Sequence, residues 1–383
     1  MSKGVVVLGA TGSIGKSARS ALAALPDRFR VVGLVARNNL EELAVQAMQF
    51  HPAWTVTTDP ARERELANRL PPDCRSAGGM EKVLELVTSP ETDIVLCAIV
   101  GTAGLEPVIA AIRAGKRIAL ASKEVLVLAG EIINRELAAH PESEIIPVDS
   151  EHSAIFQCLA GRRPGEIKNL YLTASGGAFR EWTRAEIAAA TIEDALAHPT
   201  WNMGAKVTID SASMMNKALE MVEARHLFGV RPEQIRVLIH PQSVIHSLVE
   251  LADSSLIAQL SRPDMRFAIT YALTYPERAA TDLPELDFAA RLSLDLQLPE
   301  PGKYPALEFA REAMERGGTL PGVMNAANEV AVDRFRRGEI PFPAIWKIIE
   351  KTMAAHETRP QSDLTVIRAA DAWARRYAEG VKG

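Results

Sequence analysis

The sequence predicts an α/β fold in three parts: an N-terminal doubly wound parallel-sheet domain, a central α+β domain and a C-terminal helical bundle. Three observations carry this. Through the first 150 residues, short continuous apolar runs alternate with helical stretches. Near Glu151 the runs begin to alternate in polarity and to crowd together. After Tyr304 the apolar spacing is helical throughout.

The runs at 5–8, 31–36, 94–99, 118–121 and 145–148 are rich in β-branched residues, which is how strands covered on both faces read. Helical stretches at 15–25, 41–50 and 106–114 lie between several of them, giving the alternation of a doubly wound domain. Runs at 170–174, 206–209, 237–239, 244–251 and 256–260 then supply the strand candidates of a more mixed sheet, with a long helix expected over 213–228. Residues 274–303 are rich in Pro and acidic residues and weakly periodic, as a linker is. Four apolar stripes follow: Leu307, Ala310 and Met314; Val323, Ala327, Val330 and Ala331; Ile345, Ile348, Ile349 and Met353; Ile367, Ala370, Trp373 and Tyr377. Helices that each bury one such stripe form a bundle. The expected division is a nucleotide domain over 1–149, a metal- and substrate-binding catalytic domain over 150–273, a linker over 274–303 and a helical domain over 304–383.

Composition excludes several classes. With 43 basic and 48 acidic residues the net charge is −5, against the basic excess of a general nucleic-acid binder. The three cysteines, Cys74, Cys97 and Cys158, form no CxxC pair, so neither a disulfide framework nor a cysteine zinc site is indicated and a reducing compartment fits. The N-terminus lacks the apolar region of a signal peptide. Apolar runs such as 125–129 are far too short to span a bilayer. A cytoplasmic protein without membrane contact is expected.

Gly9-Ala10-Thr11-Gly12-Ser13-Ile14-Gly15 follows the first strand and opens a helix. Glycines there permit a tight turn and close approach to a pyrophosphate, and the helix N-terminus offers free N–H groups. The bland alternative is a plain strand–helix turn, which the alternating context disfavours. The second strand ends without an acid for the ribose hydroxyls and continues Arg37-Asn38-Asn39. A cation and amides suit the 2′-phosphate of NADP; Arg37 as a mere surface residue is the competing reading.

Two further strand candidates end in polar residues, Ser122-Lys123-Glu124 and Asp149-Ser150-Glu151. In extended backbone Asp149 and Glu151 would face one side and could share a cation. Oxygen ligands suit Mg²⁺ or Mn²⁺, with Co²⁺ a further candidate, although an isolated Asp-x-Glu is more often a solvated pair. On the expected helix Asn216, Lys217 and Glu220 share a face, suiting a phosphate and a metal together or an ordinary ion pair. Ser175-Gly176-Gly177 is an anion nest or a plain turn. His198-Pro199-Thr200-Trp201-Asn202-Met203-Gly204 is a lid, or a loop whose Trp201 packs on the core. His152, His240 and His246 read as structural or supporting groups, since Pro241 disfavours a helical ligand pair at 240. Neither a Gly-x-Ser-x-Gly elbow nor a Walker loop is present.

In this order the segments resemble the 1-deoxy-D-xylulose 5-phosphate reductoisomerase family. The matching strings are GATGSIG (9–15), VGTAGL (100–105), ASKE (121–124), VDSEHSAIFQ (148–157), ASGGAF (174–179), HPTWNMG (198–204), DSASMMNKALE (210–220), LIHPQSVIHS (238–247) and NAANEVAV (325–332). They span nearly the whole chain. The resemblance implies a Rossmann-like NADPH domain lined by Thr11, Gly12, Ser13, Ile14, Arg37, Asn38, Asn39, Ser122, Glu124 and Gly204. It implies a divalent metal held by Asp149, Glu151 and Glu220, and Lys123 and Ser150 at the reacting end of a small phosphorylated sugar. Ser175, Ser211, Asn216 and Lys217 would bind the phosphate, with His198 and Trp201 closing over it. The implied reaction is a retro-aldol and aldol rearrangement followed by reduction with NADPH, giving 2-C-methyl-D-erythritol 4-phosphate, in a homodimer of the non-mevalonate isoprenoid pathway. Ser122, Ala178, Thr200 and Ala218 stand where the family commonly has Asn, Pro, Asn and Gly, Ala205 where a basic residue is frequent, and Arg37 one place before the usual basic position.

Two other classes stay open on the residues alone. An ordinary NADP-dependent dehydrogenase explains the first domain but needs no Asp149, Glu151 and Glu220. A non-catalytic NADP sensor would not bind a phosphosugar in a metal-dependent way.

Overall fold

The computed structural model describes residues 2–201, 203–289 and 291–382. The chain divides into two compact units. The first comprises Met1–Val125, Ile133–Ser153 and Asp264–Pro284, and the second Leu126–Ile132, Ala154–Pro263 and Glu285–Gly383. These units cut across the four sequence segments: 264–284 joins the first, and the C-terminal helices join the mixed sheet in the second.

The first unit is built on seven strands, β1 Lys3–Leu8, β2 Phe29–Ala36, β3 Trp54–Thr57, β4 Arg75–Gly78, β5 Ile94–Cys97, β6 Arg117–Leu120 and β7 Glu144–Pro147. Their order is β4-β3-β2-β1-β5-β6-β7, and every pairing is parallel. The central strands are apolar in sequence because helices cover both faces, and Val5, Val6, Val7, Leu8, Val95 and Leu96 are buried. The helix Met265–Thr274 packs on Ser13–Ala23 and buries Ile269, Ala272 and Leu273, which is why the chain returns to this unit late. Strand order reverses between β1 and β5. Since all seven run parallel, the loops leaving β1, β2, β5, β6 and β7 emerge at one edge, where open α/β sheets place ligands.

The second unit carries β8 Ile167–Ala174, β9 Ile235–Ile239, β10 Ile245–Leu251 and β11 Leu256–Leu260 in the order β11-β10-β8-β9. Strand β10 is antiparallel to both neighbours and β8 is parallel to β9. The run at 206–209, expected as a strand, lies within the helix Ala205–Ala212. Four residues do not separate the two periods, and local bonds decide for helix: Thr208 N–H donates to Gly204 O at 3.0 Å, and Lys206 pairs with Asp210 one turn on at 2.7 Å. The expected long helix begins at Met215 and runs to Phe228.

Four helices follow, Ala306–Arg316, Leu320–Arg336, Ala344–Ala355 and Leu364–Gly380. Leu307, Ala310 and Met314, then Val323, Ala327, Val330 and Ala331, then Ile345, Ile348, Ile349 and Met353 are buried, as their spacing predicts. In the fourth stripe Ile367 and Ala370 are buried while Tyr377 is exposed. Phe342 meets the edges of Phe179, Phe335 and Trp346, an arrangement favoured by the ring quadrupole. No helix among the described residues is long and apolar enough to cross a membrane.

Candidate active site

The turn after β1 is set by its backbone. Gly9 has φ +85°, and Gly9 and Ala10 both donate to Val35 O at 2.9 Å. A Cβ at Gly15 would stand 2.3 Å from Ala10 O and 2.4 Å from Gly9 O, so only glycine lets the helix start so close to the strand. Buried Gln46 fixes the turn from below, donating to Ala10 O at 2.8 Å. Gly12 is the N-cap of Ser13–Ala23, no side chain caps it, and the first turn holds no acid. Thr11, Gly12, Ser13 and Ile14 therefore present a helix N-terminus suited to a pyrophosphate.

Arg37, Asn38 and Asn39 follow β2 and are exposed. The loop is held through its own carbonyls: Thr57 Oγ1 donates to Arg37 O at 3.1 Å and Arg62 Nη1 to Asn38 O at 2.7 Å. Asn39 Oδ1 accepts from Glu42 N–H at 3.1 Å and caps the next helix.

Past β6, Ser122 is buried and donates to Ile99 O at 2.6 Å, and buried Glu124 opens the helix Glu124–Ala139. Past β7 the backbone differs from the extended geometry expected at 149–151. Ser150–Cys158 is helical, and Asp149 acts as its cap: its main-chain O accepts from Ser153 N–H at 2.8 Å and its Oδ1 from Glu151 N–H at 3.3 Å. An acid ahead of a helix is stabilised by those N–H groups, so the sequence turns helical there. Asp149 and Glu151 nevertheless offer carboxylate oxygens within 4.8 Å of each other. Lys123 Nζ lies 2.6 Å from Asp149 Oδ2, and His152 Nδ1 lies 3.1 Å from Oδ1. Burial raises the Asp149 carboxyl, but the Lys123 ammonium and His152 outweigh it and hold the group well below the usual carboxylate range.

The second unit groups the phosphate candidates. Ser175 follows β8 and lies 3.0 Å from His198 Nε2. His198 Nδ1 accepts from Thr200 and Trp201 N–H at 3.1 and 2.8 Å. With Nδ1 an acceptor, the ring proton sits on Nε2, which donates to Ser175 Oγ. Burial, with help from Arg180, lowers the His198 pKa and favours this neutral form. Gly177 N–H also donates to Ser175 Oγ at 3.2 Å, so the hydroxyl proton points elsewhere. Gly204 is the N-cap of Ala205–Ala212, and Trp201 is half-buried. Asn202 lies outside the described residues. Lys217 and Glu220 are buried and paired one turn apart, and Asn216 also donates to Glu220, so the alternative of a surface ion pair is excluded.

Gln46, Arg62 and Arg180 also brace the site loops and are not marked in the sequence. Arg180 Nη1 donates to Ser175 O at 2.9 Å. Each acts on a backbone carbonyl from a distant or irregular position, which leaves no periodic or motif signal. His240 was read as structural, and its Nε2 accepts from Val244 and Ile245 N–H at 3.1 and 3.0 Å.

A family model described as 1-deoxy-D-xylulose 5-phosphate reductoisomerase matches residues 5–130, and models of that enzyme's C-terminal domains match 145–228 and 260–377. A 1-deoxy-D-xylulose 5-phosphate reductoisomerase of Symbiobacterium thermophilum is 50% identical over 383 residues, covering 99% of this chain and 98% of the relative. The chain belongs to the 1-deoxy-D-xylulose 5-phosphate reductoisomerase family. The family member from Moorella thermoacetica is 48% identical over 382 residues, covering 100% of this chain and 98% of that one. Among solved structures, the Zymomonas mobilis reductoisomerase in complex with NADPH is 41% identical, with TM-score 0.93 over 99% of this chain and 98% of that one. A DOX-P reductoisomerase in complex with NADPH, fosmidomycin and magnesium is 38% identical, with TM-score 0.92 over 98% and 97% of the two chains.

Proposed function

We propose that the chain performs its family's reaction with the residues assigned above. It is an NADPH-dependent oxidoreductase that, with a divalent metal, converts 1-deoxy-D-xylulose 5-phosphate to 2-C-methyl-D-erythritol 4-phosphate, in isoprenoid precursor synthesis. The supporting observation is the pairing of an uncapped glycine turn after β1 with the Asp149–Glu151 carboxylates after β7 on one sheet. Both fit their groups: free N–H donors for a pyrophosphate, and hard oxygen ligands for Mg²⁺ or Mn²⁺.

When bound, the metal supplies Lewis acidity at the substrate carbonyl and NADPH the hydride. Asp149, Glu151 and Glu220 are assigned as metal ligands, and Lys123 and Ser150 as partners of the reacting hydroxyl and carbonyl end. His152 keeps Asp149 ionised and oriented. Ser211, Asn216, Lys217 and Ser175 are assigned to the phosphate. His198 donates to Ser175 Oγ, leaving the serine proton to donate to a phosphate oxygen. His198 and Trp201 are assigned to the lid, whose closure over substrate would exclude water. Thr11, Gly12, Ser13, Ile14, Arg37, Asn38, Asn39, Ser122, Glu124 and Gly204 are assigned to NADPH. A homodimer working in the cytoplasm is part of the same reading.

The test is NADPH oxidation, followed by absorbance, with 1-deoxy-D-xylulose 5-phosphate and Mn²⁺ or Mg²⁺ against an EDTA control. Metal-dependent oxidation yielding the methylerythritol phosphate supports the reading. Folded, NADPH-binding protein that leaves this substrate untouched overturns it.

A further inference from the structure

We propose that the C-terminal helices are a positioning device for the phosphate site, in which Asn328 and Trp346 fix the joint between the helices Ala205–Ala212 and Met215–Phe228. This rests on the reading of Ser211, Asn216 and Lys217 as phosphate ligands. Ser211 lies before that joint and the other two just after it, so their spacing depends on the joint's shape.

The joint is an unusual piece of backbone. Met214 has φ +61° and ψ +12°, a left-handed conformation that a non-glycine residue holds only when its surroundings dictate it. Inside the joint, Ser213 Oγ donates to Asp210 O at 3.2 Å and accepts from Met215 N–H at 3.4 Å. Two side chains reach it from the C-terminal helices. Trp346 Nε1 donates to Ser213 O at 3.0 Å. Asn328, fully buried, donates through Nδ2 to Asp210 Oδ1 at 2.9 Å. Asp210 is itself buried, and its other oxygen pairs with Lys206 at 2.7 Å. A buried carboxylate needs such donors, so Asn328 locks the last turn of the first helix while Trp346 locks the carbonyl that follows it.

The joint also sets the loop after β8. A Cβ at Gly177 (φ +65°) would stand 2.5 Å from Ser211 O, so the loop presenting Ser175 lies directly against the joint. A shift at Ser213 or Asp210 would therefore disturb Ser175 and Ser211 together relative to Asn216 and Lys217. None of this requires Asn328 or Trp346 to touch substrate.

Trp346→Phe keeps an aromatic ring beside Phe342, which Trp346 meets at 5.4 Å, and removes the N–H donor together with the second ring of the indole. Asn328→Leu keeps the branched heavy-atom skeleton, with some added bulk, and removes the donor to Asp210. Val330→Ala, a buried apolar truncation on the same helix as Asn328, is the stability control. Steady-state kinetics and melting temperature are measured for each, with Lys217→Gln in parallel. We expect Trp346→Phe and Asn328→Leu to raise the KM for 1-deoxy-D-xylulose 5-phosphate by about 10-fold, the scale of one lost hydrogen bond in a charged network. The KM for NADPH stays unchanged, and Val330→Ala lowers the melting temperature without changing either KM. If Lys217→Gln raises the substrate KM but Trp346→Phe and Asn328→Leu do not, the positioning role is overturned and the phosphate reading survives. If Val330→Ala raises the substrate KM as much as they do, the helices act through stability alone and the proposal fails. If Lys217→Gln leaves the substrate KM unchanged, the phosphate reading falls and this proposal with it.

Discussion

At the 9–15 turn of the first unit the groups assigned to a ligand are main-chain N–H donors, held in place by Gly9, Gly15 and the Gln46 amide. In the second unit they are side chains: Ser175 with His198, and half-buried Asn216 with buried Lys217 and Glu220 on one helical face. The first arrangement suits a phosphate group through shape and dipole. The second buries charge, so each group is committed to a particular partner and its removal leaves the others unsatisfied. Substitutions should therefore act through binding geometry and folding at the 9–15 turn, and through the loss of a committed charge on the Asn216–Glu220 face.

Glu220→Gln is the largest test of that contrast. It keeps the size of the side chain and its acceptor for Asn216 but removes the charge assigned to the metal and to Lys217. Metal-dependent turnover should fall on the order of 10³-fold, the scale of losing one group that stabilises developing charge. NADPH affinity, measured by fluorescence titration, should be largely intact. Normal turnover in this variant would sink the assignment of Glu220.

Gly15→Ala probes the other side and should act through folding. Its added methyl would meet Ala10 O at 2.3 Å, a main-chain atom unable to move aside without shifting the turn. A loss of about 1–3 kcal/mol in stability is expected, as for other overpacked sites, together with weaker NADPH binding. A melting temperature equal to that of the parent protein would show that the turn is looser than its geometry implies.

The same contrast explains what the sequence made legible. Strands β1, β2, β5, β6 and β7 are continuous apolar runs because both faces are covered, and the glycine turn is legible because only glycine fits at Gly15. Strands β3 and β4 were not found: each has four residues, and Thr55, Thr57 and Ser76 blur the apolar run. The helical start at Ser150 is hidden in the sequence because Asp149 fits a strand end as well as a helix cap. The spacing of Asn216, Lys217 and Glu220 reveals one helical face, but not the burial of Lys217 and Glu220, since charged residues are seldom buried. Asn328 lies in the NAANEVAV string, but neither its role nor that of Trp346 shows in the sequence, because what matters at each is one hydrogen bond to a residue more than a hundred positions away.

The smallest effect separates direct from indirect side-chain roles within the first unit. Arg37 and Arg62 both lie near the end of β2, but they are engaged differently. Arg37 is exposed, and among the described residues its carbonyl is held by Thr57. Arg62 is committed, with Nη1 on Asn38 O at 2.7 Å and its other nitrogens on Glu65 at 3.0 Å. If Arg37 meets the 2′-phosphate, Arg37→Ala should raise the KM for NADPH by about 10-fold, the lower end for a charged hydrogen bond at an exposed site. The KM for NADH, which lacks that phosphate, should not move. Arg62→Ala removes a brace on the loop and should weaken both coenzymes alike, by roughly 3-fold for one exposed hydrogen bond. The ratio of kcat/KM for the two coenzymes therefore reads the difference directly. A ratio that falls in Arg62→Ala and stays fixed in Arg37→Ala would exchange the two roles, making Arg62 the phosphate ligand and Arg37 a surface residue.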